Sequence, residues 1–180
     1  DGNTGFSSWD ASIVLAKYFQ MNAAVVNNKK IIELGAGTGL VAIFASILAA
    51  TYVYATDLEY SLPNLMKNID ANALSHIEVQ ELDWYFPEKN TIVRDQVELD
   101  IVVAADCVWL EHLIEPFVKT LLSINAKQIY IAYQLRTMAA YNQLVSLLRE
   151  NHYEMKAIET EEYHPEFYDD VICIYRVCKV

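Results

Sequence analysis

The chain has 180 residues, 54% of them hydrophobic and 21% charged, with no low-complexity tract; a domain of this size buries roughly 70% of the surface its unfolded chain exposes, so one compact fold is expected and disorder is not. Thirteen Lys and Arg against 24 Asp and Glu leave a net charge of −11, which repels phosphate backbones and argues against nucleic acid as a partner. A cationic partner such as a lysine-rich protein segment suits an acidic surface, and so does a plain solubility role.

In chain order, a lead-in over residues 1–29 carries an amphipathic helix at 9–22 (WDASIVLAKYFQMN). Short runs rich in Ile, Val and Tyr at 30–34, 52–57, 76–80, 100–105 and 127–133 predict buried strands. Apolar positions three and four apart predict helices at 39–50, 59–72, 111–124 and 137–150. Pro63 and Pro116 are placed near helix starts, where a missing N–H costs least. Strands alternating with helices imply a doubly wound, Rossmann-like parallel sheet with helices on both faces. The tail breaks the rhythm: two strands at 153–159 and 171–180 with no helix between them predict an antiparallel last strand. The whole chain, 1–180, reads as a single domain.

The stretch IIELGAGTGLVAIF at 31–44 ends a strand, spends three glycines and opens a helix. Free N–H groups at a helix start, and glycines that let a ligand approach the backbone, make a nucleotide-type pocket. Asp57, closing the second strand about 20 residues later, stands where an acid takes a ribose hydroxyl pair. The dinucleotide pattern G-x-G-x-x-G needs glycine at position 40, and the chain has Leu40; it shows E-x-G-x-G-x-G through Glu33, Gly35, Gly37 and Gly39. An acid at Glu33 opposes a pyrophosphate but suits a cofactor carrying an ammonium and a sulfonium, as S-adenosylmethionine does. A tight structural turn with no ligand is the plainer alternative.

Taken together, TGFSSWDAS, ELGAGTGL, ATDLE, LPNLMKNIDAN, LDW and AADCVW resemble the seven-β-strand (class I) S-adenosylmethionine-dependent methyltransferases. The narrower resemblance is to family 16, mostly protein-lysine methyltransferases of the methyltransferase-like 21 type. It implies a sheet ordered 3-2-1-4-5-7-6 with strand 7 antiparallel, and S-adenosylmethionine as cofactor. It also implies that Trp9 covers the cofactor, that Glu33, Gly35 and Gly37 line the loop under its methionine part, and that Asp57 holds the ribose. Asp83 would then accept from the adenine amino group, Trp84 would pack on the ring and Ala104 would lie beside the methionine moiety. For both tryptophans, core packing is the alternative. A protein substrate is implied, with chaperones and translation elongation factors as the suggested classes and lysine as the favoured acceptor over histidine or arginine.

Chemistry is expected at AADCVWLEH, 104–112, where Asp106 falls just past the carboxyl end of the fourth strand. The family pattern there is Asp-x-x-Tyr, and this chain has Trp109 in the tyrosine's place, so a phenol's role is lost or moved. Asp106 can orient an ammonium and pass on its proton, and an aromatic face at Trp109 can hold the cation; capping of the helix that begins near Leu110 is the structural alternative for Asp106. Tyr133 and Arg136, in YQLRT at 133–137, are expected at the substrate rim, while the acidic, aromatic loop at 161–170 is left open. The four histidines lack metal-ligand spacing, so no metal is expected. Cys107, Cys173 and Cys178 form no C-x-x-C pair, and the longest apolar run is too short for a membrane span. Those features fit the cytoplasm first, with the nucleus as an additional setting. Two other readings stay open: a small-molecule methyltransferase, and an inactive cofactor-binding module, the second suggested by Trp109.

Overall fold

The computed structural model describes residues 10–108 and 110–180. Seven strands, β1 (Lys30–Leu34), β2 (Tyr52–Asp57), β3 (Ile77–Glu81), β4 (Leu99–Ala105), β5 (Ala126–Gln134), β6 (Tyr153–Ala157) and β7 (Ile172–Lys179), form one sheet in the order β3-β2-β1-β4-β5-β7-β6. The strands β1 to β5 are parallel, and β7 runs antiparallel between β5 and β6. The expected order and the reversed tail are both present.

Because β1 and β4 are buried on both faces, their side chains alternate between two cores. Ile31, Val53, Ile101 and Val103 face a cluster with α1 (Asp10–Met21), α2 (Leu40–Ile47) and α3 (Leu62–Ala71). Ile32, Leu34, Val102 and Ile131 face a second cluster with α4 (Thr91–Arg94), α5 (Glu111–Ser123) and α6 (Met138–Glu150). Each fully buried Leu, Ile or Phe in these layers contributes about 1.5–3 kcal/mol. With both faces filled, the open ground for a ligand is the edge where the parallel strands end.

Pro63 lies in the first turn of α3, as expected, whereas Pro116 sits inside α5 rather than near its start. A proline there cannot donate to the carbonyl four residues back, that of His112. The Tyr85 hydroxyl donates to this carbonyl instead, at 3.3 Å. The loop at 161–170 is partly tied down: Tyr163 is buried, its hydroxyl accepts the Ile174 N–H at 2.5 Å, and its ring lies edge-on to Tyr18 of α1. No helix among the described residues is long and apolar enough to cross a membrane.

Candidate functional site

The glycine loop leaves β1 at Leu34 and enters α2 at Leu40. Gly35 and Gly39 have φ of +64° and +83°, a left-handed region that side chains rarely tolerate. Space closes around them as well: a Cβ on Gly35 would meet the Cys107 sulfur at 2.9 Å and the Trp84 ring at 3.4 Å, and one on Gly39 would meet Leu65 at 2.6 Å. These glycines therefore let the loop lie flat between β1, β4 and α3. From α3, the Asn68 amide donates to the Thr38 carbonyl at 2.9 Å and pins the loop's far side.

Two acidic side chains brace the loop and the helix it opens. Glu33 is 2% exposed and accepts the Ala42 N–H at 2.8 Å, satisfying a free donor in the first turn of α2. Asp57, at the end of β2, accepts the Gly37 N–H at 2.7 Å with one oxygen and the Leu58 N–H at 2.7 Å with the other. Carboxylate oxygens each have a second acceptor position, so these bonds leave Asp57 able to take hydroxyls from a ligand. Next to it, the Thr56 hydroxyl donates to the Glu33 carbonyl at 2.7 Å and locks β2 to β1 where the two acids emerge.

Burial pushes the Glu33 carboxyl up to about 8, against the pull of the Ala42 N–H and with the Asp57 charge adding to the rise. Unfolded, the group titrates near the ordinary carboxyl value, so between about 4.5 and about 8 the folded chain holds a proton that the unfolded chain has released. Stability contributed through this group is therefore lost as pH rises through that window. Thermal melts of the ligand-free protein from pH 5 to 8.5 should show a falling Tm, and Glu33→Gln should flatten the fall; parallel slopes in the two proteins would contradict it.

Trp84 is half-buried, its ring edge-on to Phe117 of α5 at 5.1 Å between centroids, so it stands between that helix and the loop. Asp83 is half-buried and accepts the Tyr85 N–H at 2.9 Å; with Glu81, Phe86, Lys89 and Asn90 it lines a recess past β3. Ala104 lies buried in β4, which runs one residue further to Ala105. Trp9 and Trp109 lie outside the described residues.

Asp106 follows β4 with φ of +51°, uncommon outside glycine, and its N–H donates to the Ala132 carbonyl of β5 at 2.9 Å. Its side chain is 3% exposed and ion-paired with Arg136, whose side chain is 33% exposed. Burial raises the carboxyl's pKa while the Arg136 guanidinium pulls against it. The helix-cap alternative is set aside: Leu110 occupies the N-cap of α5, with no side-chain cap bond. Tyr133, expected at the substrate rim, lies near the end of β5 and is 3% exposed.

Cys107, weighed from sequence only as a disulfide or zinc candidate, packs against the site. Its thiol donates to the Leu34 carbonyl at 3.0 Å and fills the space under Gly35, and burial lifts its pKa well above the ordinary thiol value, the mark of a packed and inert group. The one available signal was its place directly after Asp106. Among the described residues no group of three potential metal ligands converges.

A family model described as lysine methyltransferase matches residues 1–150. The protein N-lysine methyltransferase METTL21A of Mus musculus is 36% identical over 148 residues, which is 79% of this chain and 66% of that protein. The EEF1A lysine methyltransferase 3 of Xenopus tropicalis is 33% identical over 132 residues, covering 71% of this chain and 57% of that protein. The chain thus spans about two thirds or less of the length of these curated relatives. In fold, the magnesium protoporphyrin IX methyltransferase of Synechocystis, solved with bound SAH, superposes with a TM-score of 0.61 at 12% identity, covering 92% of this chain and 84% of that one.

Proposed function

The chain belongs to the lysine methyltransferase family, and on that ground we propose that it is an S-adenosylmethionine-dependent enzyme that methylates a lysine side chain of a protein. The observation that carries this reading is the convergence of Glu33 and Asp57 on a glycine loop at the carboxyl edge of the sheet, with Asp106 at the end of the neighbouring strand β4.

The residues present fit such a donor. The Asp57 charge opposes a pyrophosphate, and Glu33, which holds its proton when the site is empty, can give it up to meet a cationic, phosphate-free cofactor; the flat, positive-φ loop leaves its backbone open to close approach. In this reading Glu33 supports the cofactor's ammonium end above Gly35 and Gly37, and Asp57 accepts the ribose hydroxyls. Asp83 and Trp84 serve the adenine, Ala104 floors the site, and Trp9 covers it. When bound, the cofactor supplies a sulfonium-activated methyl group.

Asp106 does the chain's own part of the chemistry: its carboxylate receives the acceptor's ammonium, orients the nitrogen in line with the methyl, and takes part in removing the proton. Trp109 would offer the cation an aromatic face. The acidic composition favours a basic protein segment as the acceptor's setting. Among classes of substrate, a translation elongation factor is supported by the name of the Xenopus relative, and a chaperone stays a second candidate. The cytoplasm, with the nucleus, is the setting this reading calls for.

Incubation with methyl-labelled S-adenosylmethionine and a cell lysate tests it. A labelled protein band, with the label recovered as methyllysine after hydrolysis, is expected. Label only in small molecules, or none at all, would overturn the reading.

A further inference from the structure

The Tyr133 hydroxyl is buried and has no hydrogen-bond partner among the described residues. Folded proteins leave few such groups, because a hydroxyl removed from water without a partner is costly. The ring is fixed against Tyr141 of α6, with centroids 5.9 Å apart, and the backbone of β5 is held by pairing with Cys173 of β7. The residue just before it, Ala132, accepts the Asp106 N–H, so Tyr133 and Asp106 have adjoining backbones, and the phenol feels the charges of both Asp106 and Arg136. Burial first, then the Asp106 charge, raises the phenol's pKa, and it stays a neutral hydroxyl able to accept as well as donate.

Asp106 is the better-shielded partner of its ion pair: its side chain is almost wholly enclosed, while Arg136 keeps a third of its own in water. A buried carboxylate left without a cation is strongly destabilising. With a third of its side chain in water, Arg136 can be exchanged for a second cation without leaving the acid bare. An alkylammonium carries three donors, one more than the Asp106 carboxylate has oxygens, so a third acceptor beside it is of use.

We propose that Asp106 and the Tyr133 hydroxyl together form the seat for the acceptor's ammonium, and that the Arg136 guanidinium fills this seat until the acceptor displaces it. Tyr133 is then a substrate-contacting residue, and Arg136 a resident cation that sets how readily the acceptor enters. This deepens the lysine methylation reading and rests on it for the identity of the arriving amine, but its test needs no turnover.

The probe is n-butylammonium, the end of a lysine side chain, titrated at pH 8 into methyl-labelled protein saturated with S-adenosylhomocysteine and followed by NMR shifts. Arg136→Ala should bind it about tenfold more tightly than the parent, since the competing resident is gone. In that background Tyr133→Phe, which keeps the ring, should weaken binding about tenfold by removing one hydrogen bond to a charged group. Arg136→Gln is measured in parallel, with melting curves to verify folding, and should show the same direction. Binding no tighter without the guanidinium, or unchanged without the hydroxyl, overturns the seat. If the predicted order holds while the lysate yields no methyllysine, the seat survives and the methyl-transfer reading falls; a methyllysine band with the order absent does the reverse.

Discussion

Asp57→Ala should weaken S-adenosylmethionine binding about a hundredfold, the loss expected when two charge-assisted hydrogen bonds to ribose hydroxyls, together about 3 kcal/mol, are removed. The structure gives a second reason for a large effect. Asp57 also receives the Gly37 and Leu58 N–H groups, so the substitution releases the loop at its centre and leaves two backbone donors to find water. Asp57→Asn separates the two contributions: its amide oxygen can still accept from one N–H, so the loop is partly held while the charge is lost. The intermediate affinity this predicts is checked by calorimetry on the three proteins. Equal affinities would remove Asp57 from the site.

The other large effect is on turnover. Asp106→Asn should leave cofactor affinity within about threefold and lower turnover by about 10²–10⁴, the range a positioned acid-base group contributes. Asparagine is the right replacement because Asp106 has φ of +51°, which asparagine adopts more readily than alanine. Stability should change little: the buried charge disappears, and Arg136, already a third exposed, turns to water. A test with S-adenosylmethionine binding and single-turnover methylation on the same samples separates the two outcomes. Unchanged turnover would take Asp106 out of the chemistry, and a parallel fall in binding would make it part of the cofactor site.

Much of the architecture was legible because the sequence signals it locally. β1 and β2 are bounded by changes from Ile, Val and Tyr to glycine, or to Asp57, and fall at the expected residues. Short pieces were not legible. α4 has four residues, too few for a helical period, and Pro116 read as a start signal because the displaced His112 carbonyl finds its partner in Tyr85, a residue far off in sequence. The site divides along the same line. Glu33, Gly35, Gly37 and Asp57 belong to one strand-loop-helix unit and its neighbour, so spacing revealed them. The Asp106 to Arg136 pair joins the ends of two strands across a whole helical crossover, and the enclosure of Tyr133 depends on α6 and β7; no local pattern encodes either. The place of Cys107 in the site was not legible because its task is to fill space beneath Gly35, which only the packed structure reveals.

The loop between Glu33 and Asp57 is held to accept a positively charged adenosyl donor and to refuse a dinucleotide, and isothermal calorimetry addresses that most directly. S-adenosylmethionine and S-adenosylhomocysteine should both give saturable heats, with affinity about a hundredfold weaker in Asp57→Ala, and NAD should give none. Saturable heat from NAD, together with silence from both adenosyl compounds, would contradict the account at its base.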